Sequence, residues 1–185
     1  LSLRESVMSK LSIKTVTLVT IILALGAYRL FPHPFNVTPV MAMGLFAGTY
    51  FDKKWMAFVI PMLSMFLADI FLGFHNTMLF VYGAILVAVS IGFLLRDSVS
   101  SLKVIGASVA GSIFFFVITN FGVWAVSDYY PKTWQGLTTC FTMAIPFFQR
   151  TLLGDLFFNG VLFISYWYFA KSLGRYTLDI SRSSH

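Results

Sequence analysis

Cysteine, acidic residues and charge of either sign are all scarce in this chain. Only Cys140 among the 185 residues is a cysteine, and seven residues are Asp or Glu. A lone cysteine excludes an internal disulfide and a metal site built from several thiolates. Charged residues make up 11% of the chain, against about 25% in a soluble domain. There is no long polar stretch, linker or low-complexity run in which a soluble domain could lie, and no clear internal repeat of the kind found in many secondary transporters. Also missing are a nucleophile–base motif, a phosphate-binding loop, an HExxH pair and two carboxylates at catalytic spacing, so an enzyme is not expected. The net charge is +6, yet the Lys and Arg residues fall in small groups and form no basic stripe, which argues against a nucleic-acid partner.

What the chain has in abundance is apolar surface, with 58% hydrophobic residues. A water-soluble protein of this length could not hide that much of it. A lipid bilayer removes the problem, because an apolar exterior there needs no covering. The expected fold is an all-α integral membrane protein, a bundle of six transmembrane helices. The spans are expected at 13–31, 37–51, 55–72, 77–95, 102–126 and 149–171, closed by charged or proline-containing turns such as Asp52-Lys53-Lys54, Arg96-Asp97 and Phe31-Pro32-His33-Pro34. Segment 134–147 is apolar too, but as a helix it reaches only ~21 Å. It is expected to be a partly inserted or interfacial helix, broken at Pro146. Residues 1–12 and 173–185 are expected as cytoplasmic tails around a single domain, 13–172. The residues ahead of Met8 read as an upstream extension or a tail. The first apolar stretch is long enough to stay in the membrane, so a cleaved signal peptide is not expected.

The basic residues give this arrangement a direction. With both termini in the cytoplasm, Arg4, Lys10, Lys14, Lys53, Lys54, Arg96, Lys103, Lys171, Arg175 and Arg182 lie inside, and only Arg29, Lys132 and Arg150 outside. Ten against three fits the rule that cytoplasmic loops carry the excess of Lys and Arg. The inner turns are then short and merely charged. The outer ones hold the unusual residues: 29–39 with Asn36 and Thr38, 73–77 with His75, and 128–136 with Tyr129, Tyr130 and Trp134. Aromatics there can form the interfacial belt, or the three loops can converge as a lid over a site.

Ionisable residues inside the spans carry more weight, since a charge in hydrocarbon must face the bundle and find a partner. Asp69, Asp155 and Arg150 are of this kind. One reading is structural: Asp69 and Asp155 pair with Arg29 and Arg150 and fix helix packing. The other is that part of this set faces a ligand. Thr151, Asp155 and Asn159 recur at every fourth residue and share one helical stripe. Ser108, Ser112, Phe116, Asn120 and Trp124 form a second. Serines in such stripes commonly glue helices together, whereas Asn120 and Trp124 suit a polar, ring-shaped ligand. His33 and His75 could join a metal only with further ligands, so loop-fixing is the expected role. Cys140 reads as a small buried residue, or alternatively as a thiol contacting the ligand. Thr20, Ala24, Gly26 and Ala27, the pair Gly44/Gly48 and the pair Ala107/Gly111 allow close helix approach, within the bundle or against another subunit.

Four runs carry a family resemblance: Arg29 to Pro39, Gly73 to Tyr82, Thr119 to Trp124, and Cys140 to Asp155. With them the chain resembles the DUF6580 family, bacterial membrane proteins to which a transport role is ascribed. That family is in turn similar to the S-components of energy-coupling factor (ECF) vitamin transporters. The resemblance implies a six-helix bundle in the bacterial cytoplasmic (inner) membrane that binds a vitamin-like nutrient near the outer face. It also implies a transmembrane coupling subunit driven by ATPases as partner. Cys140 invites comparison with one S-component type in which a cysteine ligates the cobalt of cobalamin. The expected function is uptake of a small organic nutrient from a pocket between the fourth, fifth and sixth spans. Its expected wall is Asn36, Asp69, His75, Tyr82, Asn120, Trp124, Arg150, Asp155 and Asn159, without cofactor or metal. The alternative is an accessory subunit of a larger membrane complex with no ligand of its own.

Overall fold

A computed structural model describes the backbone of residues 3–183 and the side chains of residues 13–172. Among the described residues all regular structure is helical, in six elements: α1 (Leu3–Tyr28), α2 (Val40–Tyr50), α3 (Lys54–Leu72), α4 (Met78–Phe93), α5 (Ser101–Val126) and α6 (Trp134–Ser183). Successive helices alternate in direction. Lys14 of α1 meets Asp52 after α2 at 2.6 Å, and Arg29 after α1 meets Asp69 near the end of α3 at 2.6 Å. One end of the bundle therefore carries residues 29–39, 73–77 and 127–133. The other carries 51–53 and 94–100.

Helix boundaries follow local chemistry. Ser100 caps α5 by accepting from the Lys103 backbone N–H, which satisfies one of the donors a helix start leaves free. Gly73 ends α3 at φ 91°, a conformation that costs other residues a Cβ clash. The expected break at Pro146 does not occur. Segments 134–147 and 149–171 are one helix with Pro146 inside it. A proline in a helix deletes one backbone hydrogen bond, and in lipid-facing helices the neighbouring turns absorb that loss. At the chain ends, α1 and α6 run on through most of the stretches expected as tails.

α2 is the centre of the molecule. It touches each of the other five helices, and Val40 to Thr49 are all buried. A helix that is apolar all round belongs in such a position. Glycine makes its approach to α4 close. A Cβ on Gly48 would overlap the Val89 carbonyl oxygen, and one on Gly92 would overlap the Leu45 carbonyl oxygen. The far end of α2 is held by Arg96, whose Nε donates to the Gly48 carbonyl at 2.8 Å and Nη2 to the Phe51 carbonyl at 2.6 Å. The guanidinium thus supplies donors to carbonyls that the helix end leaves free.

The exterior is apolar. Phe71, Leu79, Leu102, Leu153 and Phe157 are among the large side chains that point outward. Among the described residues, three helical stretches are long and apolar enough to cross a membrane: Lys54–Leu72, Ser101–Val126 and Trp134–Ser172. Ile13–Tyr28, Val40–Tyr50 and Met78–Phe93 are shorter apolar helices.

Candidate ligand-binding site

The site begins with the shortness of α2. Eleven residues make a rod of ~16 Å, about half the ~30 Å of a bilayer core. Between Tyr28 and Val40 the chain is irregular for local reasons. Pro32, Pro34 and Pro39 cannot donate backbone hydrogen bonds, and each disfavours helix in the residue before it. Asn36 takes φ 61°, a left-handed turn that Asn tolerates better than most residues. The turn is closed by the Val37 N–H donating to the Pro34 carbonyl at 3.0 Å. Non-helical backbone at membrane depth is viable only where it is buried in protein or lines a cavity.

Here it lines a cavity of about 440 Å³. Phe31, Pro32, His33, Phe35, Asn36 and Thr38 form its cover. Val40 and Met41 of α2, Phe115 of α5 and Thr151 and Asp155 of α6 form the rest. A second space of about 150 Å³ shares Asn36, Phe115 and Thr151 and continues along the α5–α6 seam past Thr119, Asn120, Phe147 and Phe148. The first volume lies within the 300–1,000 Å³ range of small-molecule sites. The walls are braced by ring contacts: Phe35 on Phe147, and Phe116 on Phe148. His33 donates from Nδ1 to the Phe31 carbonyl at 2.7 Å and packs against Tyr28, which fixes the cover locally.

Asp155 is the charged group of this wall. It is 1% exposed, and its Oδ2 accepts from Ser112 Oγ at 2.6 Å. The Ala42 backbone N–H, in the first turn of α2, lies close enough to interact with the carboxylate. α2 has no side-chain cap of its own, so Asp155 brings a carboxylate to a helix start from another element. Asp155 Oδ1 has no hydrogen-bond partner. Among the described residues the ion pairs are Lys14–Asp52 and Arg29–Asp69, and neither involves Asp155.

The structure brings Asn36, Asn120 and Asp155 to these two spaces. Asn120 donates to the Phe116 carbonyl at 2.8 Å. Asn159 is buried one turn beyond Asp155, outside both linings, with its Oδ1 unpartnered. Asp69 is committed elsewhere. It accepts from Arg29 Nη1 at 2.6 Å and from the Tyr82 hydroxyl at 2.9 Å, which ties the end of α1 to α3 and α4. His75 is exposed and bonds Thr77 Oγ1 at 2.9 Å. Trp124 donates to the Pro131 carbonyl at 3.0 Å, and Lys132 Nζ closes the same loop on the Trp124 and Ser127 carbonyls. Arg150 is exposed and makes no pair with Asp155. Five residues of α-helix turn the chain about 140° past a full turn, so the two side chains leave α6 on different faces. Cys140 is buried against α5, with its thiol 3.5 Å from the Asn120 carbonyl.

The expected wall left out the phenylalanines, and also Thr38 and Thr151, which were read only as members of the 29–39 run and of the Asp155 stripe. The expected pocket included the fourth span. Neither lining contains an α4 residue, and the 31–38 segment and the start of α2 stand there instead. Thr151 was readable from its place on the Asp155 stripe. The phenylalanines carried no signal, because an apolar residue in an apolar chain looks the same on either face.

The family model described as a family of unknown function (DUF6580) matches residues 9–176. The chain belongs to the DUF6580 family. No curated protein and no solved structure matches it. The region matched to DUF6580 contains every residue of both linings and the Arg29–Asp69–Tyr82 cluster. Membership of DUF6580 assigns no chemistry by itself, so function has to be argued from the site.

Proposed function

We propose that this member of DUF6580 is a multi-pass protein of the bacterial cytoplasmic membrane that binds a small organic nutrient for uptake, in the manner of an ECF S-component. The observation that carries this reading is the cavity above the start of α2, walled by phenylalanines and by Asp155 with one oxygen unpaired. A large apolar pocket with a few convergent polar groups is the usual form of a small-molecule site. Six crossings with both termini in the cytoplasm are supported by the ten-to-three division of Lys and Arg, and in that orientation the cavity would face the outer side. Uptake against a gradient would need an energised partner, and a transmembrane coupling subunit with ATPases fits a chain without a phosphate-binding loop. The accessory-subunit alternative requires a fully paired set of intramembrane charges and no cavity. Asp155 and the 440 Å³ space speak against both requirements.

The test is mass spectrometry of small molecules that co-purify with the protein, repeated on Asp155→Ala and Asn120→Ala. A molecule present in the wild type and depleted in both variants is the expected result. Equal occupancy in all three would reject this cavity as the site.

A further inference from the structure

The chemistry of the wall narrows the ligand. The larger cavity is lined by one carboxyl group, Asp155, and the His33 imidazole, which is tied to the Phe31 carbonyl, and by no Lys or Arg. The carboxyl group is almost wholly removed from solvent, and the bundle supplies a side-chain hydrogen bond to only one of its oxygens. A buried carboxyl oxygen left without a partner is costly, and a ligand that donates to it recovers the cost. The other charge in the neighbourhood is the partial positive charge at the start of α2, whose Ala42 N–H already faces Asp155. An anionic ligand would therefore meet a carboxyl group beside the helix start. At an effective dielectric of about 20 and a separation of about 4 Å, like charges disfavour binding about a thousandfold. Phe31, Phe35 and Phe115 complete the surroundings. Aromatic faces attract cations through their quadrupole and accept apolar groups equally well.

We propose that the ligand is a small organic cation, with a protonated nitrogen that donates to Asp155 Oδ1 and an apolar or aromatic body that lies among Phe31, Phe35 and Phe115. The assignment rests on the binding reading above and specifies its ligand class. Thr151, one turn from Asp155 on the same stripe, and Asn36 on the cover would hydrogen-bond the remaining polar groups.

The experiment compares three probes of one shape and different charge on the purified full chain: 2-phenylethylammonium, 2-phenylethanol and 3-phenylpropionate. Thermal unfolding is followed by tryptophan fluorescence. The expected result is that the ammonium alone raises the midpoint, and that its apparent affinity falls at least tenfold in Asp155→Asn. Stabilisation by the carboxylate or the alcohol without the ammonium overturns the assignment and leaves the binding reading standing, as does a co-purified molecule without a basic nitrogen. An ammonium effect of equal size in Asp155→Asn also overturns it. If Asp155→Asn does not fold, Phe115→Trp takes its place: it narrows the cavity, keeps the carboxylate, and should abolish the ammonium shift, whose persistence would overturn the assignment. Three silent probes together with no co-purified molecule reject both ligand class and binding.

Discussion

Removing Arg29 should damage the fold far more than removing the aspartate it pairs with. The two partners differ in access to solvent: the Arg29 side chain is 15% exposed and that of Asp69 is 1% exposed. In Arg29→Met, Asp69 keeps the Tyr82 hydroxyl but has no cation and no route to water. Breaking a buried pair in this way costs about 3–5 kcal/mol. In Asp69→Leu the guanidinium is left over, yet its long stem and partial exposure let it turn outward toward the end of the bundle. The remaining loss is one Tyr82 hydrogen bond and the pair itself, about 1–2 kcal/mol. The double variant Arg29→Met/Asp69→Leu removes the stranded charge and should regain about 2 kcal/mol relative to Arg29→Met alone. At about 2–4 °C per kcal/mol for a chain of this length, the midpoint falls by about 10 °C in Arg29→Met. It falls by about 4 °C in Asp69→Leu and by an intermediate amount in the double variant. Thermal unfolding in one detergent, with all four proteins, measures the cycle. Equal losses in the two single variants, or a double variant whose loss is their sum, would refute the asymmetry.

The glycines divide into two groups with opposite signs. Gly48→Ala drives a Cβ into the Val89 backbone and should cost about 1–3 kcal/mol, whereas Gly106→Ala meets nothing within 4 Å and should gain up to about 1 kcal/mol. The same thermal assay reads both, and a stabilised Gly48→Ala would mean that α2 and α4 do not approach as described. For the proposed orientation, Cys140 is replaced by alanine and a single cysteine placed at His75 or Asp97, which lie at opposite ends of the bundle. In intact cells a membrane-impermeant maleimide should label His75→Cys and spare Asp97→Cys, and the reverse pattern would invert the topology. The thermal series on three charged probes and the ligand depletion in Asp155→Ala complete the set.

The helices were legible because apolar runs end at conspicuous groups. Asp52 and Lys53 separate α2 from α3, which starts at Lys54, and Arg96-Asp97 follows α4, close to where the charges suggested. Pro146 misled because its local preference is helix-breaking, while the cost is absorbed by a helix already packed against α5. The two buried aspartates show the deeper limit. Asp69 and Asp155 look alike in sequence, each an acid within an apolar helix. One has an arginine forty residues away in the chain and a few ångströms away in space. The other has a serine and a helix start. Which acid is paired within the bundle and which keeps an unpartnered oxygen depends on three-dimensional neighbours that spacing along one helix does not reveal. The cavity was partly foreshadowed, since the proline-rich run 29–39 announces an irregular segment. Its position over a half-length α2 was not, because the run toward Tyr50 reads as apolar from Val37 onward.

That half-length helix also bears on rates. Below Val40 the axis of the bundle is filled by Met43, Phe46, Ile85 and Val89, none of which is measurably exposed. Val40 and Met41 form the floor of the space above. On the uptake reading, a solute bound there would cross toward the far end of the bundle only if α2 shifts against the glycine contacts that seat it. Throughput would then be set by how often that plug moves, on the microsecond-to-millisecond scale of collective helix motions, and would saturate with solute concentration as in a carrier. An open pore of the same width would instead pass solute in proportion to its concentration.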